Sequence, residues 1–421
     1  MTRRADPATV AAHVVALARD DRFEEAAAMF GRRLRKVVTA ETFRTAWSGE
    51  LATIGPVSAI GPPATEPGEA DLVRVRVPVT GEHGSLDVIM SVDDAGTLQG
   101  LRLAPATPPS WQPPPYADPS RFGEQDITVG TGSLAVPGTL TLPHGPGPWP
   151  GVVLLSGGGP FDRDETSGVN KPLKDIAWGL AGRGIAVARF DRMSFIRPEV
   201  TAGPGFTMSQ EFVPHAIAAV RLLQQQSTVD PERVFVLGHS MGGRVAPRVA
   251  SAEDSIAGLV ILAGDAGPMQ RSAARVARYL ETVSPGVIPA AALAAIDGQV
   301  AFIEGPDLAP TTPAADLPFG WPGSFWLEVR DDDPVGTAAA VGKPMFIAQG
   351  GRDYQVTVAD DLALWQAGLA GRDDVTFRVY EAGDHLFFPG EGPSTPAGYQ
   401  PPQHVDPAVI ADVAAWLTLR R

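Results

Sequence analysis

The chain has no cysteine among its 421 residues, which excludes disulfides, thiolate catalysis and thiolate metal sites. It is also short of positive charge. Lys and Arg number 34 against 48 Asp and Glu, for a net charge of −14, and that balance argues against nucleic acid as a partner. No apolar run approaches the ~18 residues that cross a bilayer, so no membrane partner is expected. Arg3 and Arg4 ahead of the apolar stretch 10–18 look loosely like a secretory leader. Asp6, Pro7 and His13 interrupt that stretch, and its helical pattern runs on to Phe23 and Met29. A retained helix and a cytoplasmic protein are the expectation, with secretion the lesser alternative.

What is present is a change of grammar part-way along. Residues 7–48 carry apolar positions at helical spacing, and 51–60, 70–79, 85–92 and 97–103 read as strands, with Val73, Val75, Val77 and Val79 alternating with polar or proline positions. Helices followed by a small antiparallel sheet predict an α+β domain over 1–104. Residues 105–121 are dense in proline and predict an extended linker. Residues 122–421 open with two strands (124–130 and 133–142) and then alternate short apolar strands with helical segments. Strands are expected at 151–156, 185–190, 234–237, 259–263, 345–348 and 375–380. Helices are expected at 171–182, 209–226, 241–251, 357–369 and 407–419. That order predicts an α/β domain with a mostly parallel sheet covered by helices on both faces. Residues 265–340 break the alternation and predict a helical cap above the strand ends.

In such a sheet, ligands bind outside the carboxyl ends of the strands. Residues 234–243 read VFVLGHSMGG. Ser240 stands between Gly238 and Gly242, where a buried strand turns sharply into a helix and small neighbours give the turn room. A serine hydroxyl needs a base. Of the seven histidines, His385 follows the strand 375–380 in EAGDH, whereas His239 adjoins the serine and should point away from the reacting face. Asp353, in GGRDY after the strand 345–348, is the candidate acid to orient His385, with Asp265 as its rival. The chain order Ser240, Asp353, His385 suits this architecture. Oxyanion donors are expected from the Met241 amide and from SGGGP (156–160), with Gly158 first and Gly159 second. Three glycines after a strand also suit a phosphate, but neither Gly-x-Gly-x-x-Gly nor Gly-Lys-Ser/Thr is present.

Four ordered motifs carry a resemblance: SGGGPFDRDE (156–165), GHSMGG (238–243), AQGGRDYQV (348–356) and GDHLFF (383–388). Region 124–421 resembles the α/β-hydrolase superfamily, in its bacterial carboxylesterase/serine-peptidase-like branch, whose members commonly carry a small N-terminal domain. The resemblance implies an α/β-hydrolase fold, a Ser240/Asp353/His385 triad, and neither metal nor organic cofactor. It departs in three places. Ser156-Gly157 replaces the usual His-Gly, Asp191-Arg192-Met193-Ser194 replaces Asp-x-Arg-Gly, and Pro247 falls inside the helix after Ser240. The reading is a serine hydrolase that cleaves a carboxylic ester, or a thioester or lactone, through an acyl-enzyme. Its alternatives are an acyltransferase or cyclase using the same acyl-enzyme, and a non-catalytic binding protein on the same scaffold. Substrate contacts are expected from Phe161, Arg163, His239, Trp321, Phe325, Trp326 and Tyr354. Arg163 has a competing reading as a loop-holding ion pair, and the cap aromatics one as plain packing. The N-terminal domain is a candidate homodimer surface.

Overall fold

The structure, a computed structural model, describes residues 6–68, 72–106 and 110–420. The chain divides into two compact units, 1–109 and 110–421.

The first unit packs helices Pro7–Arg19, Phe23–Ala28 and Ala40–Ile54 on an antiparallel sheet of β1 (Val57–Ile60), β2 (Ala64–Pro67), β3 (Val73–Gly81), β4 (Ser85–Val92) and β5 (Leu98–Pro105). The order is β1-β3-β4-β5, with β2 also on β3. Val75, Val77 and Val79 face a core shared with Val14, Phe23, Phe43 and Trp47, as strand alternation requires. The expected helical stretch 7–48 is broken after Arg19, where Asp21 turns into the left-handed region at φ 57°. It resumes as Phe23–Ala28 and again under a Thr39 cap, whose hydroxyl accepts the Thr42 amide at 3.1 Å. That last helix runs to Ile54, so the expected strand 51–60 shortens to β1. The exposed edge strand β2 has no counterpart among the expected strands, because no residue of ATEP is buried to set an alternation.

The second unit begins inside the expected linker, of which residues 107–109 lie outside the described residues. Trp111 is not part of a free connector. Its indole donates to Asp175 Oδ1 at 2.9 Å, and its ring meets Trp178 edge-on. The main sheet is built from β6 (Phe122–Val129), β7 (Val136–Pro143), β8 (Trp149–Leu155), β9 (Ala186–Phe190), β10 (Val229–His239), β11 (Leu259–Leu262), β12 (Met345–Gly350) and β13 (Val375–Tyr380). Its order is β13-β12-β11-β10-β8-β9-β7-β6. β8 to β13 are parallel, and β7 runs antiparallel to both β9 and β6.

The strands are apolar on both faces because both faces are covered. Val153, Leu155, Val234 and Val236 join one core with helices Met208–Gln224 and Met241–Ala252. Val152, Leu154, Phe235 and Leu237 join another with helices Pro172–Ala181 and Pro407–Leu419. After β9 the chain returns to pair β10 with the other side of β8, so the strand order reverses at β8. The chains leaving β8 and β10 lead to helices on opposite faces, and a crevice opens between those strand ends. Between β11 and β12, helices Met269–Val283, Ala290–Glu304, Gly323–Asp331 and Pro334–Val341 replace the simple crossover. The helix Met241–Ala252 continues through Pro247.

Candidate active site

Ser240 follows β10 at the reversal. Its backbone sits at φ 53°, ψ −120°, a strained conformation for a residue with a Cβ, and its amide is held by Leu262 O at 2.9 Å. The turn closes only because its neighbours are glycines. A Cβ on Gly238 would run into Gly242 O, and one on Gly242 into Leu155 O. Met241 opens the helix, so its amide has no carbonyl four residues back to bond.

His385 and Asp353 come to the same place from the ends of β13 and β12. His385 Nε2 lies 3.0 Å from Ser240 Oγ, and its Nδ1 lies 2.7 Å from Asp353 Oδ2. Four donors orient the Asp353 carboxylate: the Gln355 and Val356 amides on Oδ1 at 2.8 and 3.0 Å, and Gln349 Nε2 with the His385 ring on Oδ2. The rival Asp265 is engaged by Arg244 Nη1 at 2.8 Å. Burial nevertheless holds its carboxyl above the ordinary range, Arg244 offsetting only part of the effect. Asp384 Oδ1 accepts the Leu386 and Phe388 amides and so shapes the turn that presents His385.

The glycine loop after β8 passes beside the serine. Gly157, Gly158 and Gly159 line the same cavity as Ser240 and Met241. The Gly157 amide is taken by Glu165 Oε1 at 2.7 Å, which leaves Gly158 as the next donor along the loop.

Residues 152–398 match the family model described as "Alpha/beta hydrolase family". The chain belongs to the alpha/beta hydrolase family. It is 32% identical over 402 residues to Esterase EstD of Thermotoga maritima, covering 94% of this chain and 92% of that one. Among solved structures it is similar to the Pyrococcus furiosus esterase PF2001, at 16% identity and TM-score 0.44 over 74% of this chain and 98% of that one. It is also similar to the esterase domain of a Rhodothermus marinus protein, at 16% identity and TM-score 0.42 over 70% and 97%.

In this alpha/beta hydrolase a cavity of about 800 Å3 opens over Ser240. Its walls away from the serine are mainly apolar, from Val276, Leu280, Ile288, Ile296, Trp321 and Leu386. Of the expected substrate contacts, Phe161, His239 and Trp321 line it. Phe325, Trp326, Tyr354 and Arg163 do not, and each has a physical reason. Phe325 and Trp326, on the helix Gly323–Asp331, are fully buried in the core, Phe325 stacked on Trp321 at 4.4 Å. Tyr354 stacks on Tyr279, and burial pushes its phenol up to about 12. Arg163 grips Asp191 with two nitrogens at 2.8 and 2.9 Å and Gly138 O at 2.6 Å, which is the loop-holding role.

His239 departs from expectation in another way, because it does not simply turn away. Its Nδ1 lies 2.9 Å from Glu165 Oε1, its Nε2 lies 2.8 Å from His385 O, and its ring stands 4.8 Å from that of His385. Burial opposes charge on this ring. The Glu165 carboxylate and the His385 carbonyl outweigh that burial and hold His239 above its ordinary value. Glu165 belongs to SGGGPFDRDE, but its sequence position gives no hint that it reaches back to Gly157 and across to His239. Among the described residues, no helix is long and apolar enough to cross a membrane, and no cluster of His, Asp and Glu could hold a metal.

Proposed function

We propose that this protein hydrolyses carboxylic esters through an acyl-enzyme on Ser240. The observation that carries the reading is the contact chain Ser240 Oγ, His385 Nε2, His385 Nδ1, Asp353 Oδ2, with links of 3.0 and 2.7 Å. Ser240 Oγ attacks the ester carbonyl carbon while its proton passes to His385 Nε2. The carbonyl electron pair becomes an oxyanion, held by the Met241 and Gly158 amides. Collapse breaks the bond to the alcohol oxygen, which leaves with the proton from Nε2. Water then repeats the cycle, giving its proton to His385, and frees the acid. Asp353 keeps the Nδ1 proton in place and stabilises the imidazolium that forms. Membership of the family and likeness to a protein named as an esterase support this reading.

The apolar walls favour esters with an apolar acyl or alcohol portion, each buried CH₂ contributing roughly 0.8 kcal/mol. The helices between β11 and β12 form the cap that supplies most of those walls. The test is hydrolysis of p-nitrophenyl esters of increasing acyl length by the full chain and by Ser240→Ala. The expected result is turnover that rises with acyl length until the cavity is filled and is lost in the variant. Undiminished turnover by Ser240→Ala would overturn the reading.

A further inference from the structure

The peptide group between Gly157 and Gly158 is gripped from a direction that the reaction itself does not use. Its carbonyl oxygen accepts a hydrogen bond from Arg192 Nη1. Arg192 is buried and does not line the cavity, whereas Gly158 does. The guanidinium is itself held at two further points, its Nε donating to the buried Glu211 Oε1 at 2.8 Å and its Cζ lying 3.9 Å from the centre of the Phe212 ring, while the Arg192 backbone amide donates to Phe161 O at 3.1 Å. Glu211 Oε1 also accepts the Ser194 hydroxyl at 2.6 Å. On the other side of Gly157, Glu165 Oε1 takes the amide. Glu165 is 2% exposed and sits at φ 55°, a strained backbone that persists only when its surroundings over-determine it.

In a trans peptide the C=O and the N–H point in opposite directions, and the only cis peptide among the described residues is Gly147–Pro148. A carbonyl drawn toward Arg192 therefore turns the Gly158 N–H to the cavity side. A charged donor on the oxygen also polarises the group and makes that N–H a better donor.

We propose that Arg192 and Glu165 are positioning residues that set the Gly158 amide as the second oxyanion donor, Arg192 through the carbonyl and Glu165 through the preceding amide. This inference rests on Ser240 being the nucleophile. It predicts that the pair acts on the developing oxyanion and contributes little to ground-state binding.

The test compares an oxo ester with its thiono analogue, in which sulfur replaces the carbonyl oxygen and fits an oxyanion site poorly. The enzyme variant is the double substitution Arg192→Met with Glu211→Gln. Removing Arg192 alone would strand a buried carboxylate, whereas the Glu211→Gln change removes that charge and keeps an acceptor for Ser194. The expected result is a kcat on the oxo ester lower by about 10- to 100-fold, short of the roughly 100- to 1000-fold cost of deleting an oxyanion donor outright, because the Gly158 amide is loosened and not removed. KM should stay within about threefold, since the lost interaction belongs to the transition state, and the oxo-to-thiono rate ratio should fall with kcat. An unchanged kcat, or equal losses on both esters, would overturn the inference. Glu165→Gln in the full chain should move the same ratio in the same direction, and an unchanged ratio there would remove Glu165 from it. Ser240→Ala is assayed alongside. Turnover surviving in that variant refutes the nucleophile itself, an outcome distinct from an Arg192 variant that behaves like the parent.

Discussion

Two buried histidine–carboxylate pairs lie side by side beneath the cavity, and they are built for opposite tasks. His385 has Asp353 on Nδ1 and a serine hydroxyl on Nε2. His239 has Glu165 on Nδ1 and a backbone carbonyl on Nε2. A hydroxyl can give up a proton, so His385 can act as a base. A carbonyl can only accept, so His239 donates to it from Nε2, and the Glu165 carboxylate on Nδ1 favours the charged form of the ring. The partner on the far nitrogen decides what each imidazole does. In the proposed reaction one pair moves a proton. The other ties the glycine loop, through Glu165, to the turn that carries His385.

That contrast can be broken by treating both pairs alike. Asp353→Asn should lower kcat by about 10⁴-fold at unchanged fold, because the amide can no longer hold the Nδ1 proton. His385→Gln should cost at least as much. Steady-state kinetics with a melting curve for each variant checks both, and a loss below about 100-fold would remove the pair from the chemistry. The second pair should respond more weakly. Glu165→Gln should lower kcat by roughly 10-fold with little change in KM, since it loosens an oxyanion donor without deleting it.

The smallest effect is on stability. His239 is held above its ordinary value of 6.5. A raised folded value means that its contribution is complete below 6.5 and is lost as pH rises through the folded value. The stability gap between the parent chain and His239→Gln should therefore narrow as pH climbs from 6.5 through the raised folded value. Urea unfolding at several pH values reads this directly, and a gap that widens with pH would contradict the ion pair.

The residues that meet at the proposed site were legible because each follows an apolar strand at the end where ligands bind, and because GHSMGG and GGRDY are local. The holding residues were not. Glu165 meets His239 across 74 positions and Arg192 meets Gly157 across 35, and both meetings depend on β8 lying between β9 and β10. Trp326 shows the same limit. Its place in a Trp-bearing segment suggests a substrate wall, but packing in the hydrophobic core buries it completely. Edge strand β2 leaves no pattern in the sequence because burial, which sets alternation, is missing there. Helix 357–369 is visible as a helix, yet its first turn, Val358–Leu362, is a π-helix followed by Ala363–Gly368.

The account turns on Ser240 as the attacking group. Intact-mass measurement of the full chain and of Ser240→Ala after exposure to a fluorophosphonate tests it most directly. The account predicts one covalent adduct on the parent chain and none on the variant. An adduct of equal yield on both, or none on a parent chain that still hydrolyses esters, would contradict it.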